Sequence, residues 1–116
     1  MFHLVDAALV RQTMGELAVF DYVAVAFLGQ IPAWRADFVA HSQVFDRRLL
    51  TALVHKMKGS CQAMAALGVA QEFAQAERAL PSLQAHDWPA CQARLTAQLV
   101  QLEAEIRNIM ARADAR

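Results

Sequence analysis

The sequence predicts an all-α protein: an antiparallel up-and-down four-helix bundle with an additional short N-terminal helix. Three observations predict it. Alanine and leucine are abundant while Val-Ile-Thr runs are scarce, which favours helix over strand. Three prolines and four glycines leave too few turn positions for a many-stranded fold. Apolar residues recur at spacings of three and four through long windows joined by short connections, as in helices that each bury one face against their neighbours.

The elements follow in order. Asp6 precedes Ala7-Ala8-Leu9-Val10 and is placed to cap the short first helix, with Val5 and Val10 as a hydrophobic staple and Gly15 as its stop. A long helix then runs from about Leu17 toward His41. Its stripe is Phe20, Val23, Phe27, Ile31, Trp34, Phe38 and His41. Pro32 removes one backbone hydrogen bond and crowds the Leu28 carbonyl, so a kink or local break is expected there. The segment His41-Ser42-Gln43-Val44-Phe45 is the expected turn, and Asp46 the cap of the next helix. Arg47 and Arg48 in that helix's first turn oppose its dipole. This helix is expected to reach about Ala65 or Leu67, with a turn near Gly68. A further helix covers about Val69 to Leu80 and is closed by Pro81. Asp87 caps the last helix, where Pro89 is tolerated in the first turn. Cys91, Leu95, Leu99, Leu102, Ile106, Ile109 and Ala113 keep its stripe to the end.

A chain of 116 residues suffices for one domain with its own core, 1–116. A hydrophobic content of 57% places it among folded rather than disordered chains. The formal net charge is zero, without the basic excess that nucleic acid or an anionic membrane requires, so neither is expected as a partner. No apolar run reaches the length of a membrane span, and no basic region followed by a long apolar run marks a secretory signal. Cys61 and Cys91 occupy apolar helical positions and read as buried thiols in a reducing compartment, so a cytoplasmic protein is expected. Met1 followed closely by a capped helix reads as a free-standing protein.

The helix from Asp46 carries the most informative segment. Leu50, Leu53, Val54, Met57, Cys61 and Met64 fall in one arc about 100° wide, an ordinary core face. Arg48, Thr51, His55, Lys58, Gly59 and Gln62 fall on the opposite arc. His55 is therefore expected near the middle of the solvent side. Gly59 lies mid-helix on that side, where it costs roughly 1 kcal/mol relative to alanine, and close approach of another backbone is the usual reason for such a glycine. Lys58 is one turn from His55. On these residues alone, the choice between a functional and an ordinary surface histidine stays open.

The segment His55-Lys56-Met57-Lys58-Gly59-Ser60-Cys61 resembles the His-x-Leu-Lys-Gly-(Ser/Ala)-(Ser/Ala) motif of histidine-containing phosphotransfer (HPt) domains, the carriers of two-component phosphorelays. Asp46 stands where the family often begins this helix, Pro32 where many members have a proline in the preceding helix, and the helix order agrees along nearly the whole chain. There are departures. Met64-Ala65 stand where the family often has Leu-Gly, so the helix is either one turn longer or followed by a differently built turn. Members often place a glutamine or glutamate of the next helix near the histidine. Ungapped counting gives Glu77, whose carboxylate would repel a phosphoryl group, with Gln71 or Gln75 as the shifted alternatives.

The resemblance implies a chemistry. His55 would be the phosphoacceptor, taking a phosphoryl group from an aspartyl phosphate of a response-regulator receiver domain, or from a sensor or hybrid histidine kinase, and passing it to another receiver aspartate. Histidine suits the task because its neutral ring is available near pH 7. Lys58 would offset phosphoryl charge, and Gly59 would admit the partner. Thr51 and Gln62 would flank the site by position. Tyr22, Val25, Leu28 and Gly29, off the main stripe of the long helix, are docking candidates, with extra core around the short first helix as the alternative for them. No bound cofactor or metal is expected on this chain, since Mg2+ belongs to the receiver. A carrier rather than an autonomous catalyst is implied, and no glycine-rich nucleotide loop is present. A bundle that docks the same partners without phosphorylation is the competing reading, and retention of both His55 and Lys58 weighs against it. A metal bundle is disfavoured by the lack of ligand spacing among His3, His41, His55 and His86. The self-contained core favours a monomer over a dimerising two-helix kinase hairpin.

Overall fold

The computed structural model describes residues 4–6 and 17–114. Among them, four α-helices and one 3-10 turn account for all regular structure. They are α1 (Leu17–Gln43), α2 (Arg47–Ala63), α3 (Leu67–Ala79), the 3-10 turn Ala85–Asp87 and α4 (Trp88–Asp114). The expected short helix after Asp6, with its staple partner Val10 and stop Gly15, lies outside the described residues. None of the described helices is long and apolar enough to cross a membrane.

The helices pack in a closed cycle: α1 on α2, α2 on α3, α3 on α4, and α4 back on α1. The two 27-residue helices α1 and α4 would each measure about 40 Å at the standard rise. They set the long axis of a molecule measuring 48 × 24 × 23 Å. The stripes read from spacing form the core. Phe20, Phe27, Ile31, Trp34 and Phe38 of α1 are buried, while Val23 and His41 are half-buried at the stripe's edge. All six residues of the α2 arc, Leu50 to Met64, are buried. So are Leu95, Leu99, Leu102 and Ile106 of α4, with Cys91 and Ile109 partly covered. Each large side chain removed from water contributes roughly 1.5–3 kcal/mol. Trp88 closes one end of this core. It packs edge-on against Phe38 at 5.7 Å between ring centroids, and its indole N–H donates to Ser42 Oγ (2.8 Å).

Three expectations are corrected. Of the kink or local break expected at Pro32, the break does not occur: α1 is continuous through it. Pro32 is exposed, and the buried residues Phe27, Ile31, Trp34 and Phe38 hold both halves of the helix to one core. The second correction concerns the α2–α3 turn, which falls at Met64–Ala66 rather than near Gly68, so α2 ends at Ala63. Ala65 adopts φ 60°, its N–H donates to the Gln62 carbonyl (3.0 Å), and the Ala66 N–H donates to the Cys61 carbonyl (2.9 Å). This is a Schellman motif with alanine where glycine is usual. Met64-Ala65 thus build the turn at the position where Leu-Gly was looked for, without an extra helical turn. Gly68 lies instead in the first turn of α3, which begins at Leu67 rather than Val69. Third, α1 extends to Gln43, leaving a shorter turn than His41–Phe45. The same hydrogen-bond pattern closes it: Phe45 (φ 43°) donates to the Ser42 carbonyl (3.2 Å) and Asp46 to the His41 carbonyl (3.0 Å).

Asp46 caps α2 as expected, its carboxylate accepting from the Leu49 N–H (3.0 Å). At the other end of the molecule, Glu105 on α4 is only 3% exposed and accepts from the N–H groups of Leu4 (3.2 Å) and Val5. Asp6 donates its N–H to the Ala65 carbonyl (2.9 Å). The segment 4–6 is thereby tied to both α4 and the α2–α3 turn.

Candidate functional site

The cap at Asp46 and the buried arc of α2 fix the rotation of that helix, and this rotation turns His55 outward. The His55 side chain is 65% exposed. Gln62 and Gly59 are exposed beside it, and Thr51 and Lys58 are half-buried. Thr51 donates its hydroxyl proton to the Arg47 carbonyl (2.7 Å) within its own helix.

Glu77 comes from the facing helix α3. Its Oε2 lies 2.7 Å from His55 Nδ1, and its Oε1 accepts from Lys58 Nζ at 2.8 Å. Of the three residues left open by counting, Glu77 is therefore the neighbour of His55. The carboxylate is held below its usual range, first by the Lys58 hydrogen bond and then by the His55 hydrogen bond and the charges of both, against an opposing effect of burial. It is ionised at neutral pH and can only accept hydrogen bonds, so the His55 ring carries its proton on Nδ1. A neutral ring in that tautomer keeps its lone pair on Nε2, the edge away from Glu77. The arrangement is that of a nucleophile oriented by a carboxylate on its other nitrogen. An atom bonded to Nε2 would lie across the ring from the carboxylate, whose charge Lys58 offsets.

Gly59 has open space around it. A Cβ built there meets no atom within 4 Å, so packing among the described residues does not require the glycine. On α1, Tyr22 (80% exposed) and Val25 are exposed and Leu28 is half-buried, leaving an apolar surface with no cover among the described residues. Cys61, on the core side of α2, has its thiol pushed up to about 12 by burial, which makes it inert. Among the described residues, no group of three His, Cys, Asp or Glu side chains is arranged to hold a metal ion.

Two features escaped the sequence. Arg47 was read as a misfit in the first turn of α2. Its guanidinium instead reaches the end of α3, donating from Nε to the Leu80 carbonyl (2.8 Å) and from Nη2 to the Leu83 carbonyl (2.7 Å), and it stacks 5.0 Å over the Phe45 ring. A cation at a helix C-terminus is favourable, so the local cost is offset by a contact more than thirty residues away. The second is the Glu105 tie to Leu4 and Val5, for which spacing carries no signal. No protein-family model, curated protein or solved structure matches this chain.

Proposed function

We propose that this chain is a phosphorelay carrier of the histidine-containing phosphotransfer kind, a monomeric cytoplasmic up-and-down four-helix bundle preceded by a short N-terminal helix. The observation that carries the reading is the coupled set His55, Glu77 and Lys58 on an exposed helix face, with an unobstructed glycine one turn beyond the histidine. Glu77 keeps the Nδ1 proton in place, and Nε2 offers its lone pair to solvent.

In the transfer, Nε2 of His55 attacks the phosphorus of an aspartyl phosphate on a receiver domain. The bond from phosphorus to the aspartyl oxygen breaks, and the electron pair leaves with the aspartate carboxylate. The ring becomes a phosphoimidazolium whose positive charge is stabilised by the Glu77 carboxylate at Nδ1–H. Lys58 donates one of its three N–H groups to Glu77 and retains two for phosphoryl oxygens. The reverse sequence, with a second receiver's aspartate as nucleophile, returns the ring to its neutral form. Mg2+ and the rest of the catalytic apparatus belong to the receiver. This chain supplies an oriented acceptor. Gly59, the exposed Tyr22 and Val25 and the half-buried Leu28 form the surface on which the receiver or the kinase rests, with Thr51 and Gln62 at its margins.

The test is transfer of labelled phosphate from phosphorylated receiver domains to the wild type and to His55→Gln. An acid-labile, base-stable label on the wild type and none on the variant supports the reading. Absence of label across a broad receiver panel, from protein shown to be folded, turns the assignment to a bundle that binds its partners without phosphorylation.

A further inference from the structure

Beside His55, the N-terminal half of α2 and the end of α3 enclose a shallow groove. It is lined mostly by apolar surface, with Ala52 and Pro81 beside Arg47, Arg48 and Thr51. The charged groups around it differ in one respect. Arg47 is committed to the Leu80 and Leu83 carbonyls. Glu77 is committed to Lys58 and His55. Elsewhere, Arg35 and Arg107 pair with Glu103, and Arg94 pairs with Glu72. Arg48 is exposed and has no ion pair or hydrogen bond among the described residues. It also sits in the first turn of α2, where a cation is disfavoured by the helix dipole. Arg48, Thr51 and His55 share one face of α2.

Resting on the carrier reading above, we infer that this groove is a partner-specificity site, which takes an apolar side chain of the docking receiver while Arg48 pairs with a carboxylate next to it. The charge pattern selects this occupant. The groove offers a guanidinium without a partner among the described residues, at the edge of a mostly apolar lining and beside the histidine that must meet the receiver's phosphoryl group. A receiver with an acidic residue flanking its docking surface is attracted, and one with a basic residue there meets like charge. The contact lies at the rim, so it acts on encounter and affinity rather than on the chemical step.

The experiment compares wild type, Arg48→Glu, Ala52→Gln and Arg112→Glu as acceptors from one phosphorylated receiver, at low and at high salt, with thermal melts to establish folding. Arg112, near the far end of α4, is exposed and has no ion pair among the described residues, and its reversal changes net charge equally. Arg48→Glu is expected to raise KM for the receiver by about tenfold at low salt, with kcat within about twofold, and the gap is expected to shrink at high salt. Ala52→Gln raises KM at both salts, and Arg112→Glu matches the wild type. A wild type that accepts phosphate while Arg48→Glu and Ala52→Gln show unchanged KM overturns the groove assignment and leaves the carrier reading standing. A folded wild type that accepts no phosphate from any of a broad receiver panel overturns the carrier reading, and the groove falls with it.

Discussion

Gly59→Ala separates folding from function, because the two are expected to move in opposite directions. Gly59 lies in the interior of α2 on its exposed face, and a Cβ added there has open space. The substitution removes the entropic cost of glycine without a clash and is worth roughly 1 kcal/mol of added stability. With a urea slope of about 2 kcal/mol/M for a small domain, the midpoint rises by roughly 0.5 M. The melting temperature rises by about 4 °C. If a receiver's backbone must approach α2 at this point, the same methyl crowds the complex. Overpacking of that kind costs about 1–3 kcal/mol, a roughly five- to 150-fold slower transfer. The assay is a urea titration followed by helical circular dichroism, with transfer rates measured in parallel. A stability that fails to rise refutes the reasoning about free space and backbone entropy. A rise in stability with unchanged transfer refutes the close-approach role.

Three other outcomes follow from the geometry. Glu77→Ala removes the acceptor that fixes the Nδ1 proton of His55, so transfer slows by roughly ten- to hundredfold, and nitrogen NMR of the ring shows the Nδ1–H bias lost. Glu77's carboxyl is depressed on folding, so its contribution is present above its unfolded value near 4.5 and is lost as pH falls through the lower folded value. Wild type is therefore expected to lose stability below about pH 4.5 more steeply than Glu77→Gln in acid titrations of the urea midpoint. Ala65→Gly relieves the left-handed conformation at φ 60° and is expected to stabilise by about 0.5–1 kcal/mol, net of the entropy glycine adds to the unfolded chain. The urea midpoint checks it.

The core stripes and the outward face of α2 were legible because helical spacing alone decides which residues share a face. Leu50 through Met64 and His55 fell where the 3.6-residue period put them. The Asp46 cap was equally legible, since its bond to the Leu49 N–H is local. Turn placement failed at Gly68 because glycine is only the preferred residue at a left-handed helix end. Here Ala65 takes that conformation, buried and hydrogen-bonded through its carbonyl to Asp6. Pro32 was read from its local cost alone, whereas burial on both sides of it keeps α1 continuous. The site was half legible. The histidine, lysine and glycine come from one helix, but the carboxylate that bonds to the histidine and the lysine comes from another. Counting narrowed it to three residues, and packing of α3 on α2 selected Glu77. Arg47 and Glu105 find their partners across long stretches of chain, where no periodicity reaches.

The most direct test of the central claim is phosphorus and nitrogen NMR of the chain after transfer from a phosphorylated receiver. The account predicts a single phosphoryl group on Nε2 of His55, with the proton retained on Nδ1. Phosphate on Nδ1, phosphate on another residue, or a folded protein that takes none would contradict it.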